Sequence, residues 1–121
     1  VIREATHEDI AHCLDAGMVK NTGLQIKDID KPMLCIEQDG YRMCALVYTL
    51  GFDAEVHLIS PKASAIRSRQ LAKELIKYLG NIGIKRIYTT IGPQFKRAKN
   101  LAKKLGFENI GGDVWLLAMQ L

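Results

Sequence analysis

Two groups of residues in this chain have the types and spacing to do chemistry. Glu55 and His57 stand two apart in an alternating, strand-like run, Glu55–Ser60, which puts both side chains on one sheet face. A cleft carboxylate or a neutral imidazole takes a proton near neutral pH, so either residue is a candidate general base. The plainer readings are an exposed strand carboxylate and a packed or surface histidine. The second group is a block of cations. Between Pro61 and Lys104 lie twelve of the seventeen Lys and Arg against one acid, Glu74, a net +11. The remainder, five basic and twelve acidic, is −7. One-signed helices forgo the i,i+4 pairs that mixed charges provide, so the asymmetry points to a polyanion: a phosphate-bearing cofactor, nucleic acid or an acidic surface. Solvation of two helix faces accounts for part of it, and charge alone does not choose among the anions.

The three thiols offer less. Cys13, Cys35 and Cys44 are odd in number and lack metal-ligand spacing, so they read as small buried hydrophobes in a reducing compartment, with no metal site expected. None has a partner that argues for covalent catalysis. His7 and His12 fall in the first helix region and form no constellation.

The elements that must position these groups follow from pattern. At 121 residues, 48% hydrophobic and 25% charged, the chain reads as one globular domain, 1–121. No apolar stretch approaches the roughly 18 residues of a membrane span, and no signal peptide is recognisable, so a soluble cytoplasmic protein without membrane contact is expected. Val1–Glu4 reads as a strand, and Thr6 as an N-cap with Asp9 three residues on. The helix that follows carries Ile10, Cys13, Leu14, Gly17 and Met18 on one stripe. Residues 21–32 read as a polar loop. Met33–Gln38 and Tyr41–Leu50 are strands joined at Asp39-Gly40, a strong hairpin signal. After the Gly51–Asp53 turn comes the Glu55–Ser60 strand. A helix over Ile66–Leu79 buries Leu71, Ala72, Leu75, Ile76 and Leu79, with Gly80 and Gly83 as its stop. Arg86–Ile91 is a strand broken by Gly92-Pro93. Gln94–Leu105 is a helix with Phe95, Ala98, Leu101, Ala102 and Leu105 inward, capped by Gly106. Glu108–Ile110 and Val114–Leu121 are strands around Gly111-Gly112. The order β-α-β-β-β-α-β-α-β-β gives an α/β (α+β) domain with a mixed, mostly antiparallel sheet of about six or seven strands flanked by helices.

This order, with several stretches of sequence, resembles the GCN5-related N-acetyltransferase (GNAT) family over nearly the whole chain. Ile2-Arg3-Glu4-Ala5-Thr6 followed by Glu8-Asp9-Ile10 resembles the family's first strand and helix start. Val56-His57-Leu58-Ile59-Ser60-Pro61 resembles its fourth strand, and Leu101–Glu108, with Leu105-Gly106-Phe107, its last helix and exit. The resemblance implies transfer of an acetyl group from acetyl-CoA directly to a primary amine of a small molecule or protein. It places the cofactor along Leu58 and Ile59 and at the frame Arg67-Ser68-Arg69-Gln70-Leu71-Ala72, where the family's loop reads Arg/Gln-x-x-Gly-x-Gly/Ala. Glycines there let backbone N–H groups at a helix start approach a pyrophosphate. This chain departs from that pattern. Gln70 stands at the first Gly, no Gly occurs from Pro61 to Leu79, and the interval after Pro61 is longer. Ser64, Ser68, Arg67 and Arg69 remain as side-chain phosphate ligands.

The family's base is implied at Glu55 or His57. Its usual thiolate-protonating Tyr falls at Ala102, which carries no proton, leaving Tyr88 as a substitute. Acceptors are implied to enter at Gly17–Pro32, where Asp28 and Asp30 attract an amine. The alternative is a non-catalytic GNAT-like binding or accessory module, of the virus-borne kind, that has lost acetyl-CoA chemistry. Nucleic acid is not expected, since no helix-turn-helix or aromatic-interleaved RNA surface accompanies the charge. Trp115 reads as a core or dimer contact, in a monomer or homodimer.

Overall fold

The computed structural model describes residues 1–15, 33–59 and 65–119. They form β1 (Ile2–Glu4), α1 (His7–Asp15), β2 (Met33–Gln38), β3 (Tyr41–Leu50), β4 (Asp53–Ile59), α2 (Ala65–Asn81), β5 (Arg86–Thr90), α3 (Lys96–Leu105), β6 (Glu108–Gly111) and β7 (Val114–Ala118). Among the described residues the strands make one seven-stranded sheet, in the order β1-β2-β3-β4-β5-β7-β6. Every neighbouring pair is antiparallel except β4 and β5. The expected mixed, mostly antiparallel sheet and the expected element order are both present.

Register starts at the first hairpin. Asp39 (φ 52°) and Gly40 (φ 81°) are both left-handed, as a two-residue turn requires. The turn sets Gln38 opposite Tyr41, and Ile36 therefore opposite Met43 and Cys35 opposite Cys44. The two-residue period then sorts the sheet into two faces. Ile36, Met43, Ala45, Ala54, Val56 and Ile87 meet Leu71, Ala72, Leu75 and Leu79 of α2 in the main core. Met33, Cys44 and Leu46 meet Ile10 and Cys13 of α1 on the other face. All three cysteines are buried free thiols, as their composition suggests. Burial pushes the Cys35 thiol up to about 11. Each leucine of the α2 stripe, withdrawn from water, contributes roughly 1.5–3 kcal/mol.

Several boundaries differ from the sequence reading. Helix α2 runs through Gly80 to Asn81 instead of stopping at Leu79. A Cβ on Gly80 would come 2.9 Å from Met119 Cε, so this glycine admits the chain end across the helix and is not the stop. Strand β4 begins at Asp53 because Gly51-Phe52 is itself a two-residue turn, with Leu50 opposite Asp53. Strand β5 ends at Thr90, α3 begins at Lys96, since Pro93 and Gln94 form a turn, and β7 ends at Ala118. Leu14, Gly17 and Met18 of the proposed α1 stripe, and the 21–32 loop, lie outside the described side chains.

The first strand, first helix and third strand are joined at one carboxylate. Asp9 is 1% exposed. Its Oδ2 accepts from the Thr6 N–H at 2.8 Å while its own N–H donates to Thr6 Oγ1 at 3.2 Å, a reciprocal cap. Arg3 binds it with both prongs, at 2.6 and 3.0 Å, and Arg42 of β3 adds a contact at 3.2 Å. The Arg3 guanidinium, with the Thr6 and Arg42 donors, outweighs burial and holds this carboxyl well below the usual carboxylate range. A carboxyl that ionises more readily when folded stabilises the fold above its unfolded pKa, about 3.9, and progressively less as pH falls below it. Asp9→Asn is therefore expected to cost about 3 kcal/mol at pH 7 and about 1 kcal/mol less than that at pH 3. Urea midpoints at the two pH values measure this, and equal midpoints for variant and parent at pH 7 would contradict the role.

Candidate active site

The site originates in an interrupted pairing. β4 and β5 are hydrogen-bonded over three register positions only, Asp53 with Arg86, Ala54 with Ile87 and Glu55 with Tyr88. Beyond Glu55, β4 stays with β3, Val56 to Ile59 facing Val47 to Cys44. Beyond Tyr88, β5 stays with β7, where Thr89 and Thr90 face Trp115 and Val114. The two central strands therefore part as a fork. Its closed end is pinned: Arg86 Nε donates to Asp53 Oδ1 at 2.7 Å, and the Phe52 carbonyl accepts from the Lys85 and Arg86 N–H groups at 2.7 and 3.3 Å. The Lys85 ammonium also lies 4.5 Å from the centre of the Phe52 ring.

The open end of the fork leads into a cleft of about 500 Å³. Val56 and Leu58 of β4 and Met43 of β3 form one wall, and Thr89, Thr90 and Ile91 another. Helix α3 closes it with Phe95, Ala98, Leu101, Ala102 and Leu105. Lys96, Arg97 and Lys104 of α3 and Ser68 of α2 stand around it. Three of these four are cations, so the cleft is apolar inside and positive outside. Trp115 packs behind it against Ile91 and Ala102, and its buried indole N–H has no hydrogen-bond partner among the described residues.

The structure brings the three proposed catalytic residues onto one sheet face. His57 Nε2 lies 3.2 Å from Glu55 Oε1, and Tyr88 is the register partner of Glu55 at the last paired position of the fork. His57 is largely buried and lines the cleft, whereas Glu55 is half exposed. The proposed cofactor residues separate into four environments. Leu58 and Ser68 line the cleft. Arg67 turns towards the β2–β3 hairpin, with Nη1 3.3 Å from Asp39 Oδ2 and the guanidinium 4.7 Å from the Tyr41 ring centre. Arg69 and Gln70 are exposed, while Leu71 and Ala72 are in the main core. Ile59 ends β4, but its side chain, like Ser64, Asp28 and Asp30, lies outside the described residues.

Sequence reasoning took the α3 stripe as core. In the structure only Ala102 of that stripe is buried, and its neighbours are left half exposed by the cleft. It also missed Thr89, Thr90 and the α3 cations as lining. The available signal was Gly92-Pro93, which ends β5 two residues past Tyr88 while β4 runs four past Glu55.

No protein-family model matches the chain, and no curated protein matches it in sequence. Solved structures do match over nearly the full length. An N-acetyltransferase from Staphylococcus aureus Mu50 aligns at 16% identity with a TM-score of 0.70, covering 99% of this chain and 98% of that one. A ribosomal-protein-alanine N-acetyltransferase from Brucella melitensis aligns at 15% identity with a TM-score of 0.69, covering 98% and 99%. An aminoglycoside acetyltransferase in complex with coenzyme A aligns at 15% identity with a TM-score of 0.70, covering 98% and 94%. Matches of this extent, on the seven-stranded order with one parallel pair, give the chain the GNAT fold.

Proposed function

We propose that the chain is an acyl-coenzyme A N-acyltransferase, which moves an acyl group, acetyl in the simplest case, from the thioester to a primary amine of a small molecule or protein. The observation that carries this reading is the fork cleft, with apolar walls inside and cations outside. Its chemistry suits coenzyme A. The β4 backbone beyond Glu55 has no β5 partner, so its edge is available to pair with the amides of a pantetheine arm as an added strand does. Lys96, Arg97 and Lys104 supply positive charge for the phosphates, with Ser68 as a hydroxyl ligand. Bound there, the thioester supplies an acyl carbon open to attack by an amine.

The chain's own residues handle the protons. Glu55 takes one from the incoming ammonium, directly or through a water, so that a neutral amine attacks. His57, 3.2 Å from Glu55, orients that carboxylate and shares its proton. Tyr88, beside Glu55 on the same face, offers the hydroxyl that protonates the leaving sulfur, a role Ala102 cannot fill. No covalent cysteine is needed, and the three thiols are buried. A second reading, a binding module without turnover, is favoured by one observation: Arg67 is held by Asp39 and Tyr41.

Acetyl-CoA at about 100 times its dissociation constant is expected to add about 2.7 kcal/mol of stability, read as a raised melting temperature. Because the single Trp115 backs the cleft through Ile91 and Ala102, its fluorescence should change in the same titration. Neither change would contradict the reading. Glu55→Gln is expected to lower kcat about 100-fold with little change in the KM for acetyl-CoA. Binding without turnover of any amine would leave the module.

A further inference from the structure

The most buried lining of the cleft is apolar and suits an alkyl chain. Its most deeply buried lining residues are Met43, Val56 and Ala102, joined by Leu105 and Phe107. Their side chains offer no hydrogen-bond partner, so away from the β4 backbone edge an alkyl group is accommodated there at less cost than an amide. The polar lining side chains are His57, Thr89 and Thr90 on the two strands of the fork, Gln94 beyond it, the exposed cations and Asn100 of α3, and Ser68 of α2. An occupant that suits the whole cleft has a polyanionic head and an alkyl tail. Ala102 bears on the room for that tail: it packs on Ile91 and Trp115, lines the cleft, and has a side chain of only one carbon.

We propose that this inner end is an acyl-chain subsite, that Ala102 sets its depth, and that the preferred donor is a medium-chain linear acyl thioester of coenzyme A rather than acetyl-CoA. The inference rests on the coenzyme A reading of the cleft. Chain length leaves the reaction balance unchanged. The carbon–sulfur bond breaks and a carbon–nitrogen bond forms. The acceptor, starting as an ammonium, gives up two protons, one ending on the sulfur and the other in solvent.

Calorimetric titration of the full chain with coenzyme A, acetyl-CoA, hexanoyl-CoA and octanoyl-CoA tests it. Each methylene buried in an apolar site is worth about fourfold in affinity, so hexanoyl-CoA should bind at least about tenfold tighter than acetyl-CoA. In Ala102→Leu the ratio of the two affinities should fall to about one, with an unliganded melt to establish that the variant is folded. If it is not, the series on the unaltered chain decides alone. Coenzyme A and acetyl-CoA binding with no gain from length would overturn the subsite and leave the transferase reading standing. Persistence of the gain in folded Ala102→Leu would also overturn it, because the tail would then lie elsewhere. Failure of all four to bind would remove both the subsite and the reading beneath it.

Discussion

Parallel pairing between β4 and β5 lasts three residue pairs, and the rest of the molecule is arranged around what that leaves unfinished. In the middle of a seven-stranded sheet a strand normally has neighbours on both sides, and its backbone groups are satisfied by them. Here, among the described residues, Val56 to Ile59 keep only the β3 neighbour, and Thr89 and Thr90 only β7. The deficit is one of hydrogen bonds at the centre of the sheet and of apolar contacts above it. Helix α3 covers part of the gap with a stripe of which only Ala102 is buried. A polar-edged, apolar-walled space within the fold has the form of a ligand site, and the cations around it favour an anion.

Such a gap is tolerable only if the surrounding sheet is rigid. The closed end of the fork is fixed by the Asp53–Arg86 ion pair and the Phe52 carbonyl. Behind β4, the Asp39-Gly40 turn sets the β2–β3 register, which determines that Met43 and Val56 face α2 and the cleft while His57 and Glu55 face away. At the far edge, Asp9 ties β1, α1 and β3 into one unit. Glu55 and His57, the residues proposed to handle protons, thus lie on the face of one short strand opposite Val56 and Leu58 of the cleft wall. The two faces meet at the fork, where His57 reaches the cleft. Splitting a strand by its two-residue period is an economical way to present a base on one side and a donor on the other.

What the sequence made legible follows from range. Local signals gave the Asp39-Gly40 hairpin, the Thr6–Asp9 cap, the Leu71–Leu75–Leu79 stripe and the shared face of Glu55 and His57, because each depends on a few adjacent residues. Signals that depend on distant contacts misled. Gly80 looks like a helix stop, but the helix runs through it to Asn81, with the Met119 methyl packed close beside it. Phe95, Ala98, Leu101 and Leu105 look like core, yet they line a space that exists only because β5 leaves β4 early. Arg67, whose place in a phosphate frame is only what the resemblance implies, has its guanidinium beside Asp39, a contact 28 residues upstream that no local pattern announces. The cleft itself has no local signature, since it is a difference in length between two strands separated by a helix.

Backbone amide hydrogen exchange at the fork, with and without coenzyme A, tests the central claim most directly. If a pantetheine arm lies along β4, amides of Val56–Leu58 on the edge that β5 vacates will slow on binding, while those of Asp53–Glu55 and the β6–β7 hairpin will not. Exchange unchanged at Val56–Leu58 under saturating ligand, or slowed only at a surface remote from the fork, would contradict it.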